Sequence, residues 1–444
     1  MTITKIIARV RGGGAWFLAA LLASSAPTFG AERDPTPGST DLEVPPLLLA
    51  TVLEQARRKN PEINAADARA HAMGERPIQQ GTLPDPTIGA KYHNESFDGF
   101  TLGDSEFTYY EFSVEQEIPF PGKLGLRQSI AERGALREQA MRDATLLAVL
   151  ARAAVAYFDL AVVDRSIELL RESRSTLEIL ARQAETAYSV GIAAQQDLLR
   201  ATQERTDVDV KLTAFAQKRI AAESSLNALL DRPPDAPLAS AVLPPAPPPS
   251  RPLAELQERL RERAPELKAA HEDVLAASDG VDLAQREYLP DFAVMGAYSN
   301  KSRLEPEWEV GLAVRVPLYF WRRQRPALAE ADWNRIAAEH TRRNTQVTLE
   351  ARLRELHSMA EASSKVVALY SERLIPQAEL TLESARSSYA VGKVDFMTVL
   401  NAFLSVLDYR MRVAEETGAL HRARAEIASI LGETPLGEPI EAAP

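Results

Sequence analysis

Apolar and polar residues alternate with two different periods along this chain, and the longer-ranged one is helical. From Leu124 to Tyr188 and again from Arg325 to Tyr389 the helical pattern runs for roughly 65 residues, on the order of 100 Å at 1.5 Å per residue. Leu146, Val149, Leu150, Ala153, Tyr157 and Leu160 supply a packing stripe, and only Pro326 and Pro376 interrupt the composition. No ordinary globular domain holds such an element, so a long bundle or coiled coil is predicted. Each long helix ends in a Tyr-x-Val-Gly phrase, Tyr188–Gly191 and Tyr389–Gly392, where glycine permits a reversal. Return helices are expected over Ala193–Leu230 and Val394–Leu431.

Ahead of each long helix the period drops to two. Thr108, Tyr110, Phe112, Val114 and Ile118 alternate with Tyr109, Glu111, Ser113, Glu115 and Glu117, following a first strand in which Ile88, Ala90 and Tyr92 share a face. The second copy places Phe292, Val294, Gly296 and Tyr298 on one face, then Trp308, Val310, Leu312, Val314 and Val316 opposite Glu307, Glu309, Gly311, Ala313 and Arg315. Two β-hairpins, 87–118 and 291–317, are predicted, each with an apolar and a polar face. Such a hairpin either lies on a soluble core or faces lipid, its strands having about the 9 to 11 residues that cross a bilayer when tilted. Leu47–Gln80 reads as helix with a break at Pro61.

The two patterns are copies of one another. Asn60-Pro61-Glu62-Ile63 answers Ala264-Pro265-Glu266-Leu267, Leu83-Pro84-Asp85 answers Leu289-Pro290-Asp291, and Glu117-Ile118-Pro119 answers Arg315-Val316-Pro317, all in the same order as the tips. The expected organisation is a first repeat over 47–231, a stiff extended Pro-rich linker over 232–252, a second repeat over 253–431 and a tail over 432–444.

Residues 1–30 differ in kind. Lys5, Arg9 and Arg11 precede a short apolar run, Ala15–Ala23, and small residues stand at the cleavage spacing near Gly30. A secretory signal is predicted, with an extended arm over 31–46. The alternative, a membrane anchor, needs about 18 to 20 apolar residues. After cleavage, no apolar helix long enough to span a bilayer is expected. The chain has no cysteine, which excludes disulfides and a cysteine-linked lipid. A net charge of −11 disfavours nucleic acid. An exported chain of this kind is either soluble or crosses a membrane as β-strands; four strands cannot close a membrane barrel, so several copies must then share one.

A chain with these two hairpins, two long helices and two Tyr-x-Val-Gly tips resembles the TolC-type outer membrane factor family over essentially its whole mature length. Gln116-Glu-Ile-Pro-Phe-Pro-Gly-Lys123 is similar to the strand-to-helix turn of its heavy-metal efflux branch. The resemblance implies a mainly α fold with a small β part. It also implies a homotrimer with a shared twelve-stranded barrel in outer membrane lipid and coiled-coil helices forming a periplasmic tunnel. The implied partners are a periplasmic adaptor and an inner membrane RND-type pump. On that reading Tyr110, Phe112, Val114, Trp308, Val310, Leu312 and Val314 face lipid, and Glu111, Glu115, Glu117, Glu307 and Glu309 line the lumen. The acidic set either favours cations or is merely a wetted wall. The resemblance places the periplasmic aperture at Tyr188, Gly191, Asp197, Tyr389, Gly392, Lys393, Thr398 and Asn401. Val394 stands where the family has a basic partner, which leaves Lys393 as a substitute, and Asp197 has the plainer reading of a helix-start carboxylate.

Catalysis is not expected. The six histidines show no metal-binding spacing, no cofactor is implied, and no nucleophile–base motif is present. The alternatives to a passive exit duct are a periplasmic coiled-coil adaptor and a secreted hydrolase.

Overall fold

Two helix reversals and one four-stranded sheet set the architecture of the computed structural model, which describes residues 45–438 apart from 96, 98, 100, 104, 192, 193, 249 and 250. The expected leader over 1–30, most of the expected arm over 31–46 and the end of the expected tail lie outside the described residues. The first half runs α1 (Leu49–Lys59), α2 (Pro61–Gly74), α3 (Arg76–Gly81), β1 (Thr87–His93), β2 (Tyr109–Ile118), α4 (Lys123–Ser189) and α5 (Gln195–Leu229). The second runs α6 (Leu253–Arg263), α7 (Pro265–Arg286), β3 (Asp291–Asn300), β4 (Glu307–Arg315), α8 (Gln324–Leu369), α9 (Ile375–Ala390) and α10 (Phe396–Ile430).

Proline chemistry sets the breaks. Asn60 ends α1 and caps α2, its side chain accepting from Glu62 N at 2.9 Å while its amide donates to Leu229 O at 2.9 Å. The Leu47–Gln80 segment has a second break, not expected from the sequence, between Gly74 and Arg76. There Pro77 lacks an N–H and its ring would clash with the Met73 carbonyl in a continuous helix. In the second long helix, Pro376 is accommodated by a π-helical turn, Tyr370–Leu374, so that α8 and α9 continue one another.

Helix α4, at 67 residues, is the axis of the fold. Its first half packs on α2, α3 and α7, with Arg142–Asp67 at 2.7 Å and Arg133–Glu272 at 3.2 Å across those contacts. Its second half packs on α5 and α10, where Arg174–Asp209 (2.6 Å) and Arg422–Asp159 (2.9 Å) bridge the helices. The expectation that no helix is apolar enough to span a bilayer is corrected here: α4 contains an 18-residue window that is, and 61% of it is buried inside the chain. The physical reason is its position. Leu146, Val149, Leu150, Ala153, Ala154 and Tyr157 are enclosed by α1, the end of α5, the linker and α10, so this stretch must be apolar nearly all round.

The described linker residues dock along the helices. Leu47 N donates to Ser240 O at 3.0 Å, and the Tyr157 hydroxyl donates to the carbonyls of Leu47 and Val242 at 3.1 and 2.9 Å. Asn227 Nδ2 holds Ala236 O at 2.7 Å, and Arg424 donates to Pro248 O. His421, stacked on Phe158 with ring centres 4.6 Å apart, presents Nε2 to the Pro244 and Pro245 carbonyls at 3.3 and 3.2 Å. Burial pushes its pKa down, so the neutral ring donates Nε2–H to these carbonyls at pH 7. Carbonyls next to proline have no strand partner, and the helix side chains supply one.

The sheet is antiparallel in the order β1-β2-β3-β4. Ile88↔Val114↔Gly296↔Val310 and Ala90↔Phe112↔Tyr298↔Trp308 are successive rows across it. Residues opposite one another share a face, so the alternation read from each strand combines into one four-strand surface. β1 and β4 are its two open edges.

Candidate functional site

Three places carry the candidate residues: the sheet, its junctions with the long helices, and the reversals at the far end.

On the sheet, Tyr110, Phe112, Val114, Trp308, Val310, Leu312 and Val314 all lie on one face and all are exposed, Trp308 by 79% and Leu312 by 69%. A contiguous apolar face of this size on a folded chain marks a surface that meets lipid or another protein. Tyr92 and Tyr110 (ring centres 4.8 Å apart), Tyr298 and Trp308 cluster toward one end of the strands. The opposite face holds Glu111, Glu115, Glu117, Glu307 and Glu309. Two of these are neutralised locally, Glu117 by Arg315 at 2.6 Å and Glu307 by Lys301 at 2.6 Å. Glu111, Glu115 and Glu309 make no ion pair among the described residues, so the negative potential of this face is carried by three carboxylates rather than five.

The first junction is a locked turn. Gly122 sits at φ +92°, a backbone conformation that favours glycine, whereas the Arg286 guanidinium that a Cβ would meet at 2.2 Å is the movable end of a flexible side chain. The next residue, Lys123, is 1% exposed. Its Nζ reaches Asp291 Oδ1 at 2.9 Å, Leu289 O at 3.0 Å and Glu287 Oε2 at 3.4 Å, and the same Asp291 oxygen accepts from Phe120 N at 2.8 Å. This buried cluster ties the start of α4 to the start of β3, fastening the first half to the second. Reasoning from sequence noted the motif but missed the role, because the partners lie more than 160 residues away.

At the reversals Gly191 and Gly392 take φ of +76° and +74°, and their N–H groups return to Tyr188 O and Tyr389 O at 3.0 and 2.9 Å. Leu177, Leu180, Ala201, Leu382, Phe396, Val399 and Leu400 pack the two hairpins against each other just behind the tips. Asp197 and Tyr389 are brought together: burial, and then the Asp197 charge, raise the Tyr389 phenol above its ordinary pKa, yet its buried hydroxyl has no hydrogen-bond partner among the described residues. Tyr188, Lys393, Thr398 and Asn401 are exposed, and Lys393 makes no ion pair among the described residues.

Thr398 is engaged by Asp395, whose only local signal is that aspartate is a preferred residue directly before a helix. Asp395 accepts from Thr398 N at 2.9 Å and from its hydroxyl, and these bonds hold its pKa below the usual carboxylate range. A depressed native pKa means that the cap stabilises α10 above the unfolded value of about 3.9 and is lost as pH falls through the native one. The protection of the Thr398 amide relative to its intrinsic exchange rate is therefore expected to fall as pH drops through the native Asp395 pKa, and to be low and independent of pH in Asp395→Ala.

A sheet with one exposed apolar face and two open edges, carried on paired helices of this length, is the architecture of a membrane-channel protein. The chain belongs to the outer membrane efflux protein family, whose model matches residues 52–232 and 256–433, one segment in each half. It is 22% identical over 396 residues to the cobalt-zinc-cadmium resistance protein CzcC of Cupriavidus metallidurans, covering 87% of this chain and 90% of that one. It is 22% identical over 381 residues to the outer membrane protein TolC of Vibrio cholerae, covering 81% and 85%. Its fold superposes on the crystal structure of CusC with a TM-score of 0.73 at 15% identity, over 87% of this chain and 92% of that one. The fold is thus that of the TolC-like channels, with two repeats, and the protein is an outer membrane exit duct; its family is one of channels, not enzymes.

Proposed function

We propose that three copies assemble into one twelve-stranded barrel and a continuous periplasmic tunnel, through which substrates handed over by an inner membrane RND-type pump and a periplasmic adaptor leave the cell. The observation that carries this is the pair of unpaired sheet edges beside an exposed apolar face. In lipid an open edge leaves backbone groups unsatisfied at several kcal/mol each, and pairing β4 with the β1 of another copy removes both edges at once. The apolar face then meets lipid, and Glu111, Glu115 and Glu309 face the lumen.

The chain performs no chemistry of its own on this reading and is delivered by a cleaved leader with no lipid anchor. Likeness to a cobalt-zinc-cadmium resistance protein supports divalent metal cations as the exported class, and three unpaired carboxylates per chain suit that cargo. Outer membrane fractionation, with the protein migrating as a heat-sensitive oligomer, tests the assembly; a soluble periplasmic monomer overturns it. Metal sensitivity of a deletion strain tests the cargo.

The tips close the tunnel. Tyr389 has a buried hydroxyl beside Asp197 with its hydrogen-bonding capacity unspent, as a contact completed by a neighbouring copy requires. Such bonds contribute about 0.5 to 1.5 kcal/mol each, so a few per trimer shift the closed population substantially. Asp197→Ala with Tyr389→Phe is expected to raise single-channel conductance in planar bilayers without lowering trimer yield. Unchanged conductance from intact trimers would assign closure to other residues.

A further inference from the structure

The two sheet-to-helix junctions occupy equivalent places in the two repeats but are built in opposite ways. The first is internally satisfied through Lys123, as described. The second, Leu318–Arg325, turns its side chains outward except for the buried Gln324. Tyr319 is 70% exposed, Trp321 52% and Phe320 49%, and the three rings form one cluster, with Tyr319–Trp321 and Phe320–Trp321 centres at 6.0 and 5.3 Å. Directly after them Arg322, Arg323 and Arg325 are exposed, and none makes an ion pair among the described residues. The carboxylates nearest in the fold are already committed: Glu117 to Arg315, Glu287 to Arg127 and Lys123, and Asp291 to Lys123.

Position gives this cluster its meaning. The aromatic group around Trp308 marks one end of the apolar face, and the Tyr319–Trp321 group marks the other. At about 3.3 Å per residue the β4 run from Trp308 to Arg315 covers roughly 23 Å, or about 16–18 Å of height at a tilt of 40–45°, and the turn through Val316 and Leu318 carries Tyr319 beyond the strand end. Two aromatic groups at the two ends of an apolar face are the arrangement of a membrane band with its aromatic girdles. In the proposed assembly the arginines, which follow the second aromatic group toward α8, fall beyond the apolar band at the depth of lipid head groups.

We infer that Arg322, Arg323 and Arg325, with the Tyr319 and Trp321 rings, form a binding site for the phosphate head group of an anionic phospholipid in the periplasmic leaflet. Guanidinium groups pair with phosphate oxygens through two parallel N–H donors, and the rings seat the glycerol and acyl boundary. A subunit contact would require carboxylates on the opposing edge to match three arginines. The segment leading into β1, Leu83–Thr87, brings only Asp85. The inference rests on the proposed channel assembly.

The test is native mass spectrometry of purified full-length oligomers in mixed micelles containing dioleoyl phosphatidylglycerol or dioleoyl phosphatidylcholine, with planar bilayer recordings on the same preparations. Wild-type oligomers are expected to retain phosphatidylglycerol several-fold over phosphatidylcholine. The R322Q/R323Q/R325Q variant should lose that preference while keeping its oligomeric state and conductance. Equal retention of the two lipids by the wild type, or an unchanged preference in the variant, overturns the inference. So does dissociation of the variant in lipid-free detergent, which would assign the arginines to a subunit contact. The wild-type preference needs no variant, so a folding defect does not protect the idea. A wild type that gives no conductance overturns the channel reading instead, whereas conducting oligomers without lipid preference overturn only this site.

Discussion

Replacing Leu312 by arginine is expected to prevent assembly of the membrane oligomer. Leu312 lies midway along β4, 69% exposed in the single chain and opposite Val294 on the apolar face. An arginine near the bilayer midplane costs about 2–4 kcal/mol, and a threefold barrel would incur that cost in every copy. The partner experiment is Glu309→Gln, three residues earlier on the opposite face, which should leave assembly intact and lower only cation preference in conductance measurements. Heat-sensitive oligomer on gels reads the first effect and reversal potentials in a salt gradient read the second. Equal damage from both substitutions would mean that the faces are assigned the wrong way round or that neither meets lipid.

Lys123→Met is expected to be the most destabilising single change at the junctions. The ammonium is almost fully buried and serves Asp291, Glu287 and the Leu289 carbonyl together. Removing one partner from a buried pair typically costs about 3–5 kcal/mol, because the remaining charge keeps its desolvation penalty without compensation. Asp291 still accepts from Phe120 N at 2.8 Å, which places the expected loss toward the lower end of that range. The discriminating measurement is the cycle with Asp291→Asn. If the pair acts as a unit, the double variant should melt well above the temperature expected from adding the two single losses. Strict additivity would show that Lys123 matters for packing alone. Wild-type stability in Lys123→Met would show that the two halves are fastened elsewhere.

Much of the fold was legible because it is written in long-range periodicity. A 3.6-residue period sustained over the length of α4 has few physical solutions, and a two-residue period with one apolar face has few others. Glycine at positive φ after Tyr188 and Tyr389 located both reversals, and proline located the break at Asn60. Pro77 with Gly74 three residues ahead of it carries a second stop signal of the same kind. The apolar window of α4 could not be classified from composition, since a core helix and a spanning helix bury the same residues against different surroundings. The tip residues were placed by resemblance. What holds them, the Asp395 cap and the shared apolar plug behind the tips, had only a short local signature.

By itself the sequence determined the periods, the reversals and the doubling, since each depends on residues within a few positions of one another and on steric rules that hold in any context. Tertiary structure alone decided what brings distant residues together. It aligned four separate alternations into a single apolar face, turned the proline-rich linker into a strap held by His421, Arg424 and Asn227, and paired Glu117 and Glu307 with cations. It also made one junction a sealed ionic lock around Lys123 and left the other exposed with three unpaired arginines. The physical reason is that charge pairing and desolvation depend on separation in space, and the partners here stand up to 263 residues apart along the chain.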